Sequence, residues 1–329
     1  MTASSTAASL RPEQCGERPL VTVVVPCFNA VRYIGAALRS VLQQGWPALE
    51  VIVVDDGSTD GSAACVKAEF PTVAVVEQAN QGVAAARNRG MAHARGEWVA
   101  FLDADDVWLP GKLHAQFDAL REEPTARMAC GAWQVWISDA NTPPANYVQD
   151  IMAAASDSRR WAGPSGWIYA ELLLDCEVWT STVLMHRSLL AEVGHFDSTL
   201  RIGEDYDLWL RASRVTPILR VPRPLALYRT HPASITHGVP AENYRGRVLA
   251  RAIERWGYAS SQGHDASPRK VQRALAASWS DFAACHLASG GLKTARQASL
   301  QALRADPALL RGWKLLARAL AGSLRASGG

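Results

Sequence analysis

Two uniformly apolar runs, Leu20–Pro26 (LVTVVVP) and Glu50–Asp55 (EVIVVD), constrain this chain more than any other feature, because each passes directly into polar, turn-forming residues. A strand with one wet face alternates apolar and polar side chains. Runs without alternation suit strands covered on both faces, as in parallel sheets flanked by helices. Between and after them, apolar residues recur at helical spacing. Ile34, Leu38, Val41 and Leu42 follow Asn29 and stop near Gly45 and Pro47, while Ser58, Thr59 and Asp60 are cap residues for a helix toward Phe70. Val73–Glu77 and Glu97–Asp103 read as third and fourth strands, with a helix from Gly82 to Ala94 between them. A helix over Pro110–Glu123 is expected to open on a proline at its first position. This β-α-β-α-β-α-β order predicts an α/β fold with a largely parallel sheet and helices on both faces, its ligands lying beyond the carboxyl ends of the strands.

Residues 137–165 hold Pro143–Pro144, Asn141 and Gly163–Pro164, and read as a long loop or flap. A helix over Gly166–Leu174, a strand over Thr182–His186, a helix over Glu204–Ser213 and strand pieces at Ile218–Val221 and Leu225–Tyr228 follow. Beyond Pro240 the composition shifts to Ala, Arg and Leu with helical periodicity. The expected organisation is a polar lead-in over 1–18 that is disordered, a main domain over 19–239 and an all-helical region over 240–329. In that last region Ala295, Ala302 and Pro307, with Gly290–Gly291 as the turn, have the spacing of one tetratricopeptide-like helix pair.

Hydrophobic content of 48% and charged content of 20% fit an ordinary globular core, and a net charge of +3 gives no support for nucleic-acid binding. The six cysteines show neither CxxC nor zinc spacing, which fits a reducing, cytoplasmic setting. The lead-in has no apolar signal core, and no run reaches the roughly 18 apolar residues of a membrane span. The basic, amphipathic stretch GWKLLARALAGSLR either packs on the protein or rests on the inner face of a membrane. The sequence does not fix an oligomeric state.

The acidic clusters at the strand ends carry the chemistry. In Phe101–Trp108 (FLDADDVW), Asp103, Asp105 and Asp106 crowd the end of a buried strand. Three ionised carboxylates there repel one another unless a cation or hydrogen bonds compensate, and a hard divalent ion such as Mn²⁺ or Mg²⁺ does so with carboxylate and phosphate oxygens. The alternative is a solvated turn in which Asp105 or Asp106 caps the next helix. Asp55–Asp60 (DDGSTD) is a second acidic turn, placed to hold a nucleobase N–H or a ribose hydroxyl. In Asn80–Gly90 (NQGVAAARNRG), Arg87 can pair with a diphosphate or with an active-site aspartate. In Arg201–Arg211 (RIGEDYDLWLR), Glu204 and Asp205 open a helix whose macrodipole favours them.

Together, Pro26–Asn29, DDGSTD, NQGVAAARNRG and GEWVAFLDADDVWLPGKL resemble the family 2 inverting glycosyltransferases of the GT-A fold, in that family's order and spacing, over about Leu20 to His237. The resemblance implies that Pro26, Phe28, Asn29 and Asp56 bind the nucleoside part of a donor, with phenylalanine at position 28 where the family often has tyrosine. It implies that Asp103 and Asp105 form a DxD pair, Asp103 facing ribose or metal and Asp105 binding metal, with Arg87 holding the donor. Asp106 is a supporting or capping residue. Glu204 and Asp205 resemble the family's ED motif, with Asp205 as general base and Glu204 as acceptor-positioning residue or alternative base. His231, in YRTHPASIT, is similar to a late histidine that contacts metal or diphosphate. Trp179 and Thr180, in WTSTVLMH, lie where the family has its acceptor side, and Trp108, Trp161, Trp167 and Trp179 could stack on sugar rings.

The implied reaction is metal-dependent transfer from a nucleotide sugar, UDP- or dTDP-linked by default, to a saccharide or lipid-linked saccharide. A sugar nucleotidyltransferase would want a glycine-rich phosphate loop after the first strand, where this chain reads PCFNAVRY. A catalytically silent scaffold with a partner-binding helical tail is the other alternative.

Overall fold

The structure, a computed structural model, describes residues 18–137, 141–231 and 238–327, with side chains as far as residue 322. Most of the expected lead-in, Cys15 and the PASIT part of YRTHPASIT therefore lie outside the described residues. In chain order the elements are β1 (Val21–Cys27), α1 (Ile34–Leu42), β2 (Leu49–Asp55), α2 (Ser62–Glu69), β3 (Ala74–Glu77) and α3 (Val83–His93). There follow β4 (Trp98–Phe101), β5 (Val107–Trp108), α4 (Lys112–Glu122), β6 (Met128–Ile137), α5 (Ala145–Ala154) and α6 (Tyr169–Leu172). The chain continues through β7 (Leu184–His186), α7 (Arg187–Val193), α8 (Glu204–Ala212), β8 (Ile218–Thr230), α9 (Tyr244–Trp256), α10 (Pro268–Ala288), α11 (Leu292–Ala305) and α12 (Leu310–Ser327).

These elements form two compact units, one of the described residues up to Ile168 with Glu177–His231, the other of Tyr169–Cys176 with the described residues from 238 on. The segment Tyr169–Cys176, which the sequence places in the main domain, thus belongs with the helical unit. There the Tyr169 hydroxyl donates to the carbonyl oxygens of Ala252 and Gly257, and Arg245 donates to Leu174 O.

The first unit is built on an eight-stranded sheet of order β3-β2-β1-β4-β7-β6-β8-β5. The four strands read from the apolar runs pair in parallel, β3 to β2, β2 to β1 and β1 to β4, whereas β7 pairs antiparallel to both β4 and β6. The sheet is therefore mixed, with its doubly wound parallel half carrying β1 at the switch point where ligands bind in such folds. Every side chain of β1 is buried, as its unbroken apolar run requires, and Val21, Val23, Val25 and Cys27 share one core with Ile34, Leu38, Val53, Leu102 and Leu184. On the other face α3 lies so close to the sheet that a Cβ at Gly90 would overlap Val24 and Val54, so the smallest residue sets the height of that helix.

Three local expectations change. Helix α4 starts at Lys112 rather than at Pro110, because Leu109 still donates its N–H to Leu225 O of β8 and Gly111 (φ 71°) makes the turn. Within the expected loop at 137–165 lies the ten-residue helix α5, preceded by Pro143–Pro144. Its Tyr147, Val148, Ile151 and Met152 form one apolar stripe against Val107, Leu109, Trp136 and Leu227. The two strand pieces near residues 218–228 are one strand, β8, whose register with β6 slips around Ala132 opposite Pro224. Proline is tolerated at such an irregularity because no ladder N–H is needed there.

In the helical unit, α10, α11 and α12 share a core of Phe282, Ala283, Ala298 and Leu315, and Gly290 (φ 82°) turns the chain between α10 and α11. Among the described residues no helix is long and apolar enough to cross a membrane, and the five cysteines are free.

Candidate active site

Two acidic clusters lie at the carboxyl ends of β2 and β4, and the Phe28–Asn29 loop lies at that of β1. β4 ends at the fully buried Phe101, the equally buried Leu102 follows, and then comes a tight turn closed by Asp106 N donating to Asp103 O at 3.0 Å. Of the three aspartates, Asp106 points inward and is 1% exposed. Its Oδ2 accepts from Trp179 Nε1 (3.0 Å) and Ser181 Oγ (2.5 Å), and its Oδ1 accepts from Arg229 N (3.0 Å). Burial, then the charges of Asp105 and Asp103, push this carboxyl well above the usual carboxylate range. Asp106 is thus a fully bonded strut. Neither it nor Asp105 caps a helix, since α4 begins only at Lys112.

Asp103 and Asp105 remain partly open. Asp103 Oδ1 accepts from Arg87 Nη2 at 2.6 Å, and Asp103 N donates to Ser181 Oγ. Asp105 Oδ2 lies 3.1 Å from His231 Nε2, and Asp105 O accepts from Arg229 Nε at 2.7 Å. Burial and the neighbouring Asp103 charge raise the Asp105 carboxyl above its ordinary value, against the hydrogen bond from His231. Among the described residues no group of three or more His, Cys, Asp or Glu is arranged to hold a metal ion.

Arg87 is 3% exposed, where a basic helix face would be solvated. Of its two sequence-level options it takes the active-site carboxylate: besides Asp103 it donates through Nη1 to Glu204 Oε1 at 2.5 Å, joining residues 117 apart. Burial disfavours the charge on this guanidinium, but the close acids Asp103, Glu204 and Asp205 together outweigh it and raise its already high proton affinity. Glu204 and Asp205 stand in the first turn of α8, reached through Gly203 in the left-handed region (φ 83°). Burial and the adjacent Asp205 push Glu204 up to about 7 despite the Arg87 contact. Glu204 is 5% exposed and held by Arg87, whereas Asp205 is half-buried, its Oδ2 accepting from Thr180 Oγ1 at 2.7 Å.

The short turn Thr180–Thr182 thus serves both acidic motifs. Thr180 is 2% exposed, so its hydroxyl faces Asp205. Trp179 donates to Asp106 and lies against the rings of Tyr228 (4.2 Å) and Trp133 (5.8 Å). Trp108 and Trp161, read as possible sugar platforms, are core residues instead: both are buried, and Trp108 Nε1 donates to Ser181 O.

On the donor side, Pro26 is buried within β1 and Phe28, immediately beyond it, is 52% exposed. Asn29 has a positive φ of 50°, which asparagine tolerates better than most residues. Its Oδ1 accepts from Thr59 N, while Asn29 N, Ala30 N and Val31 N donate to Ser58 Oγ, Ser62 Oγ and Asp60 Oδ2. The expected helix caps thus mainly stitch two loops together. Asp56 is 3% exposed, and its carboxylate accepts from Gln78 Nε2, Gln81 N and Gly82 N at 2.7–2.8 Å, fixing the loop that starts α3.

Sequence reasoning missed Ser181, Arg229 and Gln78. Arg229 is fully buried, with its guanidinium over the rings of Trp136 (4.1 Å) and Tyr33 (4.7 Å). Its position two residues before His231 was the available signal. Ser181 stands within WTST, and nothing local distinguishes it from its hydroxyl neighbours.

A mixed sheet with a doubly wound parallel half, an acidic turn after β4 and a second acidic pair opening α8 fit a GT-A-type fold. Residues 22–161 match the family described as "Glycosyl transferase family 2". The chain is 31% identical over 194 residues to the UDP-Glc:alpha-D-GlcNAc-diphosphoundecaprenol beta-1,3-glucosyltransferase WfgD of Escherichia coli, covering 58% of this chain and 68% of that protein. It is 26% identical over 221 residues to the uncharacterized glycosyltransferase RP339 of Rickettsia prowazekii, covering 67% of this chain and 66% of that one. Among solved structures, Staphylococcus aureus TarS 1-349 in complex with UDP-GlcNAc superposes with a TM-score of 0.58 at 17% identity, over 92% of this chain and 89% of that 1-349 chain. The mannosyltransferase PcManGT from Pyrobaculum calidifontis, in complex with GDP-Man and Mn2+, gives 0.53 at 20% identity, over 94% and 88%. The chain belongs to glycosyltransferase family 2.

Proposed function

We propose that this protein is a divalent-metal-dependent, inverting glycosyltransferase that moves a sugar from a nucleotide diphosphate donor onto an acceptor hydroxyl. The observation that carries the reading is the Arg87 bridge: one buried guanidinium ties Asp103 of the first acidic motif to Glu204 of the second. With Thr180 fixing Asp205, this brings acids from distant parts of the chain around one centre.

Asp205 is the general base. Its carboxylate is the less buried of the pair and is aimed by the Thr180 hydroxyl, so it can take the acceptor proton while the acceptor oxygen attacks the anomeric carbon from the face opposite the diphosphate. A single displacement of that kind inverts the anomeric centre. Glu204, held by Arg87, positions the base rather than replacing it. Phe28 offers an exposed ring for the nucleobase at the end of β1, and Pro26, Asn29 and Asp56 shape the loops around it.

The residues present fit a divalent ion. Asp105 and Asp103 retain open carboxylate edges, burial and then the Asp103 charge raise the Asp105 carboxyl, and His231 adds a nitrogen beside it. Two carboxylates completed by donor phosphates are the usual holding set for Mg²⁺ or Mn²⁺. When bound, such an ion supplies positive charge for the leaving diphosphate.

UDP-linked donors are favoured by likeness to TarS, which binds UDP-GlcNAc, and a lipid-linked saccharide acceptor by likeness to WfgD. The test is a thermal-shift screen of nucleotide sugars with and without Mn²⁺, followed by NMR of the product's anomeric configuration. Stabilisation by one nucleotide sugar only with the metal, and an inverted product, are expected. Equal binding without metal, or a retained configuration, overturns the corresponding part of the proposal.

A further inference from the structure

The near-neutral charge of the chain conceals a strong asymmetry. Seven of its 34 Lys and Arg, but only one of its 31 Asp and Glu, fall between Leu292 and Ser327, leaving that segment at +6 and the rest of the chain at −3. The segment is the helix pair α11 and α12. One face of α12 is committed to its neighbour: Leu315 and Ala319 are buried, and a Cβ on Gly312 would press on Leu303 of α11. On the opposite face Leu310 is 74%, Trp313 54% and Leu320 43% exposed. Trp313 is not loose, since its indole N–H donates to Pro307 O at 2.9 Å and holds the ring at the surface. These positions recur at three- and seven-residue intervals, so they form one stripe, with the exposed Lys314 and Arg318 along its flank. On α11, Lys293, Arg296, Leu300 and Arg304 are likewise exposed at helical spacing.

We propose that this face of α12 docks on an anionic lipid surface, with Leu310, Trp313 and Leu320 entering the headgroup boundary and Lys314 and Arg318 pairing with lipid phosphates. The inference goes beyond the proposed catalytic function and stands without it. Leucine and tryptophan beside cationic side chains is the pairing that interfacial helices use, since apolar burial and attraction to anionic lipid add. A second copy of the chain is a poorer occupant, because apposing two such faces would bring Lys314 and Arg318 against the same cations of the other copy, with no acidic side chain on the face to offset them. A nucleic acid would engage the cations and leave the apolar stripe in water.

The experiment is co-sedimentation of the full chain with vesicles of phosphatidylcholine, with and without about a quarter phosphatidylglycerol. Binding only to the anionic vesicles, weakening with salt, is expected. Lys314→Gln/Arg318→Gln should lose roughly thirtyfold in affinity, and Leu310→Ser/Leu320→Ser about tenfold or more, with circular dichroism and melting unchanged because these side chains are exposed. Failure of the unaltered chain to bind anionic vesicles overturns the proposal. So does undiminished binding by either variant. Tight binding to a DNA duplex that Leu310→Ser/Leu320→Ser leaves intact, or a dimer in sedimentation that this variant dissolves, would assign the face to another partner.

Discussion

The Thr180 hydroxyl donates to Asp205 Oδ2 across 2.7 Å from a side chain that is itself 2% exposed. A buried hydroxyl that donates to Asp205 can fix the direction of that carboxylate. Thr180→Val keeps the volume and removes the bond. The expected outcome is a fall in kcat of about tenfold, corresponding to one lost hydrogen bond to a charged group, with the donor KM unchanged. Thr180→Ser should restore most of the rate. Steady-state kinetics in both substrates checks this, and an equal loss in the Ser variant would show that packing, not the hydroxyl, matters.

Asp205→Asn separates binding from chemistry. Removing a general base costs a factor of about 10²–10⁴ while leaving ground-state donor contacts in place. Calorimetry with a nucleotide sugar and Mn²⁺ should give wild-type affinity, and turnover should be nearly absent. Normal turnover would transfer the base role elsewhere, with Glu204 the first alternative.

Much of this centre was legible in the sequence, for a physical reason. Buried parallel strands need unbroken apolar runs, and the polar residues that end them must sit at the sheet's carboxyl edge, so DDGSTD and FLDADD announce their own location. The direction of each side chain was not legible. FLDADD does not say that Asp106 turns inward to Ser181 and Trp179 while Asp105 meets His231, because those partners come from residues 73 to 126 positions away. Likewise α5 hid behind Pro143–Pro144, and its four apolar side chains gain meaning only from the β5 and β8 surface that they cover. The prolines of β8 concealed a continuous strand because the tolerance lies in its slipped register with β6.

Arg87 is the structural keystone of the two motifs, and Arg87→Met should be costly in both. Breaking a buried pair leaves Asp103 and Glu204 facing each other without a cation, an effect of about 3–5 kcal/mol. Urea unfolding should show that loss. Arg87→Lys should recover only part of it, since an ammonium cannot present the forked donors that reach two carboxylates.

Glu204 gives the fold a pH signature. Its carboxyl, pushed up to about 7 by burial and by Asp205, keeps its proton in the folded chain well above the 4.5 at which the unfolded chain releases it. Between those values the folded state binds more protons, so this group's stabilising contribution is complete below pH 4.5 and is lost as pH rises to about 7. The change amounts to about 3 kcal/mol across the window. Glu204→Gln cannot titrate, so the difference in unfolding free energy between it and the unaltered protein should vary with pH over that range and level off above it. A difference independent of pH would mean that Glu204 is ionised throughout.

Asp105 and Asp106 are adjacent in sequence and opposed in role, which makes their amides a decisive pair. Asp106 accepts three hydrogen bonds in the interior, and an amide there must turn N–H groups toward Ser181, Trp179 or Arg229 N, all of which donate. Asp106→Asn should therefore lower stability by about 1–3 kcal/mol, read as a reduced Tm with or without metal. Asp105 is partly open, and burial and then the Asp103 charge disfavour its ionised form, so Asp105→Asn should leave the Tm of the free protein unchanged or slightly raised. What it should lose is the additional Tm rise that Mn²⁺ produces together with a nucleotide sugar. If Asp105→Asn kept that rise while Asp106→Asn lost it, the inward and outward assignments of the two carboxylates would have to be exchanged.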